Sequence, residues 1–149
     1  MAETEIIMGN VMDYLEWRGD LTFDQSPFND VDNVILSQLA YVNFRDVIPS
    51  VQMNKGITLK AAAQLFFDLH TEEELMQDKS FIKDAPKLLK KAAQTNRFRD
   101  VILSDYVDMV DETLEKQFGA FHIKLSPQCT YVAFRGTDDT LVGWKEDFN

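Results

Sequence analysis

The chain has 149 residues, of which 45% are hydrophobic and 27% are charged, a composition that describes one soluble globular domain or a large piece of one. Acidic residues outnumber basic residues by 25 to 15, which gives a formal charge of −10. This charge argues against a nucleic-acid partner and against an anionic membrane surface, because both attract clustered Lys and Arg. The sequence therefore predicts an acidic protein without a nucleic-acid partner.

Cysteine and histidine are too few for a disulfide framework or a zinc site. Cys129 is the single cysteine, and His70 and His122 lie far apart in the sequence. The N-terminus is acidic and lacks the pattern of a signal peptide, and no apolar run is long enough to span a membrane. We expect a cytoplasmic protein that uses no metal and no cofactor.

Residues 1–97 are predicted to be mainly helical. Apolar residues recur at helical spacing between positions 31 and 42, and Asp30 or Asp32 can cap that helix. Thr58 is expected to cap a second helix with its own apolar stripe. This stripe comprises Leu59, Ala62, Ala63, Phe66 and Leu69.

Two shorter helices are predicted to follow. Thr71 and Glu74 have the spacing of a capping box, in which each side chain binds the other residue's backbone N–H. The next helix is expected to begin at Asp84, with Pro86 in its first turn. The residues predicted to face inward on this helix are Leu88, Leu89 and Ala92.

Residues 98–149 are predicted to begin a sheet, in a parallel or mixed arrangement. Apolar and polar residues alternate between positions 118 and 125, which indicates a strand with one buried face. The buried face is predicted to carry Phe121, Ile123 and Leu125, with His122 pointing off the sheet. Residues 99–104 are also predicted as a strand, although the apolar pairs between residues 101 and 110 fit a helix as well.

The segment 130–134 is a nearly continuous apolar run. Such a run is typical of a central strand that is covered on both faces. We therefore expect Val132 and Phe134 to be almost fully buried. Cys129, which opens this strand, is expected to be an inert core thiol.

The residues that follow this strand carry the strongest functional signal. Phe134-Arg135-Gly136-Thr137 resembles the strand-end motif of the class 3 lipases, and the longer string from Tyr131 to Asn149 is similar to the Mbeg1-like family. This family is a bacterial group of lipase-like α/β-hydrolases. The segments 117–121 and 13–21 are similar to that family too.

The resemblance implies a fold and a site. The fold class is α/β: the N-terminal part of an α/β-hydrolase-like fold, in which a helical region, 1–97, precedes the first strands of an incomplete central sheet, 98–149. Thr137 would contribute to the oxyanion hole, because preorganised donors there stabilise the charge that develops on the carbonyl oxygen. Gly136 would let the chain turn sharply and a substrate approach the backbone. Residues expected to support the site or bind substrate are Arg135, Gly136, Asp138, Trp144 and Asp147, with Arg135 as a buried anchor paired with Asp147.

An α/β-hydrolase also needs a nucleophile, and none is apparent here. No two glycines flank a serine at the Gly-x-Ser-x-Gly spacing. We therefore expect the N-terminal portion of a serine hydrolase, inactive alone, whose full-length form acts on ester-like or lipid-like small molecules. The alternative is a non-catalytic acidic interaction domain with a lipase-like strand. An incomplete sheet would also self-associate through residues 118–135.

Overall fold

The computed structural model describes residues 2–77, 84–111, 113 and 116–136. The helices in this part of the chain are α1 Ala2–Arg18, α2 Asp30–Leu39, α3 Leu59–Leu69, α4 Glu72–Gln77 and α5 Ala85–Ala92. The strands are β1 Gly56–Thr58, β2 Ile102–Asp111, β3 Lys116–Ser126 and β4 Cys129–Arg135. A short 3₁₀ turn, Val51–Met53, precedes β1. None of the helices described is long and apolar enough to cross a membrane.

The helix starts are largely those that the sequence predicts. Thr58 caps α3 by accepting a hydrogen bond from the backbone N–H of Ala61 at 3.2 Å. Thr71 and Glu74 form both bonds of the expected capping box at the start of α4. The predicted start of α5 at Asp84 is confirmed, although its side chain makes no capping hydrogen bond.

The cap of α2 differs from the prediction. Asn29, in extended backbone conformation, accepts hydrogen bonds from the N–H groups of Val31 and Asp32. The carboxylate of Asp32 in turn accepts from the N–H of Asn29 at 3.0 Å. Asp32 is thus the third residue of a capping box rather than the cap, and the prediction of Asp30 or Asp32 as the cap was wrong.

The strands form one sheet in the order β1-β2-β3-β4, and each neighbouring pair is antiparallel. The expected parallel or mixed sheet is therefore wrong for the described strands. The physical reason is the short connection between β3 and β4, because a turn of two residues, Pro127 and Gln128, can join only antiparallel strands. The architecture is mixed helix and sheet. An isolated parallel bridge joins Ser50, outside the strands, to Tyr106 of β2.

The boundaries of β2 also differ from the expectation. The strand begins at Ile102 instead of residue 99 and continues to Asp111, so the helical alternative for residues 101–110 is wrong. A bulge interrupts its pairing with β3 between Ser104 and Val107. Asp105, within this bulge, has a left-handed φ of 57°, a conformation that is uncommon outside glycine. The bulge allows the N–H of Tyr106 to bond the carbonyl of Pro49 at 3.0 Å.

Only one face of the sheet is covered by the described helices. Phe121 and Ile123 are buried on that face, as predicted, and Leu125 is half-buried at its margin. The predicted burial of Val132 and Phe134 is wrong, because these side chains are 53% and 48% exposed on the other face. Their strand alternates, with Ala133 and Arg135 inward, and the described helices pack on that side.

The core lies between this inner face and the helices. Phe44, from the turn after α2, packs edge-to-face against Phe121 of β3, with ring centroids 5.4 Å apart, and against Phe66 of α3 at 6.2 Å. Helix α3 contacts β1 and β2, and α2 contacts β4. Cys129 is exposed next to the β3–β4 turn, so its prediction as a core thiol was wrong.

Candidate functional site

Arg135 ends β4 with its side chain turned toward the helices, and the residue is 8% exposed. It pairs with Gly119 on β3. A Cβ atom on Gly119 would lie 3.6 Å from Nε and 3.8 Å from Cγ of Arg135, so the arginine stem runs directly over the glycine. A branched side chain at position 119 would displace it. The absence of a side chain at Gly119 therefore leaves the space in which the Arg135 side chain packs against β3.

Asp108 continues the same row on β2, because it pairs with Gly119 from the opposite side. Its Oδ2 accepts a hydrogen bond from Nε of Arg45 at 2.7 Å and also contacts the Nη2 of that arginine. Its Oδ1 is buried and has no hydrogen-bond partner within the described residues. One row across β2, β3 and β4 thus contains Asp108, Gly119 and Arg135, with a charged side chain on either side of the glycine.

Tyr106 borders this row. Its ring stacks on Phe121 with centroids 6.4 Å apart. Burial raises the pKa of the Tyr106 hydroxyl, and the carboxylate of Asp108 raises it further. Arg135 and Arg45 act in the opposite direction on the same pKa. The hydroxyl therefore lies within the electrostatic reach of both arginines and of the aspartate.

The guanidinium of Arg135 lacks an ionic partner in the described part of the chain. No carboxylate described lies within 4.0 Å of it, Asp108 included. Thr137, Asp138, Trp144 and Asp147 lie outside the described residues, so their roles and the pairing of Arg135 with Asp147 stay predictions. Of the predicted site, the structure describes Arg135 and Gly136, at the end of β4.

Another buried arginine was missed by the sequence reasoning. Arg97 donates from Nε to Oδ1 of Asp32 at 2.9 Å and from Nη2 to Oδ2 at 2.6 Å, and both side chains are 0% exposed. Backbone carbonyls take its other donors, and its Cζ lies 4.2 Å from the centre of the Phe23 ring. These carbonyls belong to Leu21, Thr22, Ser26 and Pro27, at 3.0, 3.3, 3.0 and 3.1 Å.

Tyr14 completes the Arg97 network. Its hydroxyl donates to Oδ1 of Asp32 at 3.0 Å and accepts from the amide nitrogen of Asn29 at 2.9 Å. A sequence signal for this network did exist, since Asp32 occupies the same helical stripe as the buried Ile35, Leu36 and Leu39. An aspartate on an apolar stripe indicates a buried cation nearby.

The remaining titratable candidates lie elsewhere. His122 points off the sheet, as predicted, with Nδ1 2.8 Å from Oδ2 of Asp105. His70 ends α3 and has Nδ1 3.8 Å from Oε2 of Glu74. Within the described ranges, no group of three or more His, Cys, Asp or Glu side chains could hold a metal ion.

Comparison with known proteins finds a family match for the segment that contains this row. Residues 92–149 match the family model described as Mbeg1-like, so the resemblance found in the sequence is confirmed over this segment. It contains β2, β3 and β4 and hence Asp108, Gly119 and Arg135. No curated protein and no solved structure matches the chain.

Proposed function

We propose that this chain supplies the oxyanion-hole strand end of a lipase-like or esterase-like serine hydrolase, and that the catalytic serine lies outside these 149 residues. One observation carries the proposal: in the segment that matches the Mbeg1-like family, β4 ends at a buried Arg135 and is followed at once by Gly136 and Thr137. The fold proposed for the complete enzyme is that of an α/β-hydrolase.

The chemistry depends on rigid donors. Attack on an ester carbonyl builds negative charge on its oxygen, and donors that are fixed beforehand stabilise that charge without reorganising. Thr137 has two such donors, a backbone N–H and a hydroxyl. Arg135, held flat over Gly119, fixes the strand end from which the chain continues to Thr137. We therefore assign Thr137 to the oxyanion hole and Arg135 to positioning.

Other predicted residues complete the proposal. Gly136 allows close approach of the substrate to the backbone, Trp144 lines the acyl pocket, and Asp138 and Asp147 support the loop. The substrate class is an ester or lipid-like small molecule, the location is cytoplasmic, and no cofactor takes part. Because the sequence has no Gly-x-Ser-x-Gly elbow, the 149-residue chain alone is expected to be inactive.

Self-association through the sheet belongs to the same proposal. Among the residues whose burial the structure describes, five large apolar side chains are exposed on β2, β3 and β4, which supports an interface there. They are Val107, Met109, Phe118, Val132 and Phe134. Light scattering of the 149-residue chain is expected to give a dimer, and a monodisperse monomer would contradict this part of the proposal.

A second function is a non-catalytic acidic interaction domain. A separate observation favours it, namely an exposed groove between α1 and α2 whose lining includes Asp13 and Asp30. The two functions make opposite predictions for reactivity toward fluorophosphonates, which label activated serines.

The deciding experiment labels the protein purified from the cells that make it. A biotinylated fluorophosphonate is added, the intact mass is measured, and the labelled peptide is mapped. We expect one labelled serine on the same polypeptide, outside these 149 residues, and no labelling of the 149-residue chain alone. Pretreatment with an unlabelled sulfonyl fluoride is the control. An unlabelled protein with an intact mass of 17.2 kDa would overturn the hydrolase proposal.

A further inference from the structure

A groove of about 650 Å³ lies between α1 and α2. Its lining comes from one side of α1 and from the first turns of α2, and includes none of the row Asp108, Gly119 and Arg135. Val11 and Val34 form part of its apolar floor, with Val11 buried and Val34 half-buried. The groove is thus independent of the strand end to which the hydrolase function is assigned.

Trp17 stands on the α1 wall of this groove. Its side chain is 80% exposed, more than any other large hydrophobic residue in the described part of the chain. Tryptophan is the residue type most enriched at the energetic centres of protein interfaces, because its ring buries a large area with few torsions to fix. An indole left in water beside an apolar floor is therefore an anchor for a partner.

The segment that forms the groove is acidic in sequence, and the lining itself holds two carboxylates and one basic side chain, that of Arg18. Residues 10–34 contain six acidic residues and a single basic one, Arg18. Five of the six acidic residues are exposed, and Asp32 alone is buried against Arg97. Asp13 contributes a carboxylate from α1 and Asp30 contributes one from α2, so each wall of the groove carries one. A complementary partner therefore carries positive charge.

The arrangement of these groups identifies the kind of cation. Asp13 precedes Trp17 by four residues, so the two side chains are neighbours on the surface of α1. A Lys or Arg that reaches this spot can lie on the indole face and bind the carboxylate at the same time. Both contacts favour a cation on a flexible stem over a small ion.

The two helical walls select the shape of the occupant. Val11 and Tyr14 on α1 and Val31 and Val34 on α2 line the groove at helical spacing. Such a groove accepts the apolar face of a third helix, whose side chains recur at intervals of three and four residues. We propose that this groove docks a basic amphipathic helix of a partner protein, with an apolar face on the floor and a Lys or Arg on Trp17.

The test uses defined peptides and the fluorescence of Trp17. The probe is an amidated peptide of about 18 residues, about five helical turns, with leucines on one face and lysines on the other. A matched peptide has glutamates in place of the lysines. The protein is the 149-residue chain with Trp144→Phe, so that Trp17 is the single tryptophan. We expect the basic peptide to blue-shift the emission of Trp17 and the acidic peptide to leave it unchanged.

Variants locate the binding, with affinities measured by calorimetry. Trp17→Ala should raise the Kd for the basic peptide about 30-fold or more, as for a central anchor. Asp13→Asn and Asp30→Asn should each raise it about 2- to 5-fold and reduce its salt dependence. Asp68→Asn, on exposed α3 surface, is the charge control. Circular dichroism checks that each variant is folded.

Three results would overturn the proposal. The first is equal affinity for the basic and acidic peptides. The second is binding that survives Trp17→Ala but is lost in Phe118→Ala, which would place the peptide on the exposed face of the sheet. The third is a blue shift of the Trp17 emission that phosphatidylcholine vesicles cause and that neither peptide causes, which would make the groove a lipid-binding surface.

Discussion

Arg97 and Arg135 are both buried, but their surroundings differ. Arg97 has the Asp32 carboxylate on Nε and Nη2 and backbone carbonyls on Nη1 and Nη2, so its donors are saturated. Arg135 lies on Gly119 and has no carboxylate within 4.0 Å among the described residues. The first arginine ties the segment after α5 to α2 and to the loop before α2. The second ends a strand two strands away from Asp108, whose Oδ1 is buried and has no hydrogen-bond partner among the described residues.

This difference separates a charge whose partners lie among the described residues from one whose predicted partner, Asp147, lies outside them. A buried charge with every donor satisfied contributes to the fold, and breaking the pair leaves its partner uncompensated. A buried charge without a partner loses its hydration energy, and no ion pair in the folded state compensates for that loss. We therefore expect substitutions near Arg97 to change stability and substitutions near Arg135 to change activity.

Replacement of Arg97 should have the largest effect. Arg97→Met keeps the apolar stem but leaves the Asp32 carboxylate buried without its cation, so the free energy of unfolding should fall by about 3–5 kcal/mol. Urea unfolding followed by circular dichroism measures this loss. Arg99→Met, at a half-exposed arginine two residues away, is the control and should change the value by less than about 0.5 kcal/mol. A loss below about 1 kcal/mol at Arg97 would show that its contacts are not structural.

The next effect concerns catalysis by the complete enzyme. Thr137→Ala and Thr137→Val both remove the hydroxyl, and each should lower kcat about 10²–10³-fold, or about 2.7–4 kcal/mol, with little change in KM or stability. Steady-state ester hydrolysis measures both constants. Thr130→Ala, at an exposed position of β4, is the matched control. Wild-type kcat in both variants would mean that the hydroxyl is not an oxyanion donor.

Tyrosines in both networks should make the stability depend on pH in the alkaline range. Burial raises the pKa of Tyr14 and of Tyr106, and Asp32 and Asp108 respectively raise them further. The unfolded chain ionises first, at about pH 10, so the stability from these groups is complete below that pH and is lost as pH rises through the raised values. The slope is at most about 1.4 kcal/mol per pH unit for each tyrosine.

Urea unfolding between pH 8 and pH 11 measures this slope, with absorbance at 295 nm reporting ionisation. Tyr14→Phe and Tyr106→Phe should each make the decline shallower. Burial alone raises the pKa of Tyr131, so part of the slope should persist in the double variant. An unchanged slope in both single variants would show that neither hydroxyl is protected by the fold.

The smallest effect is expected at Arg135. Arg135→Met keeps the stem over Gly119 and removes a buried charge that has no described partner, so the free energy of unfolding should fall by less than about 1 kcal/mol and can rise. Urea unfolding measures the change. A loss as large as that at Arg97 would contradict the contrast and would show that Arg135 is paired, with Asp147 as the predicted carboxylate.

The helices were predictable because their signals are local. Thr58 and Thr71 bind backbone groups three residues away, so the sequence alone specifies these caps. The sheet was harder to predict, since an apolar run such as 130–134 looks the same whether one or both faces are covered. Whether a face of the sheet is buried depends on which helices pack against it. The face that carries Val132 and Phe134 is exposed here. The short connection between β3 and β4 could have indicated from the sequence that these strands pair antiparallel.

The candidate site was predictable only where a contiguous motif carries it. Phe134-Arg135-Gly136-Thr137 located the strand end. The two ion pairs described above instead join residues that are distant in the sequence. Arg45 and Asp108 are 63 positions apart, and Asp32 and Arg97 are 65 positions apart. Periodicity within one element gives no information about such pairs. Even so, the buried position of Asp32 on its helix shows that a partner is required.

The two-residue turn between β3 and β4 has a consequence for the order of folding. Residues Ser126 and Cys129 pair directly across it, so this hairpin closes a very short loop and can form within about 1–10 μs. Strand β1 must instead pair residue 58 with residue 102, after the intervening helices have ordered. We expect the hairpin to be native-like in the folding transition state and β1 to join afterwards. Substitutions in β1, such as Ile57→Ala, should then accelerate unfolding more than they slow folding.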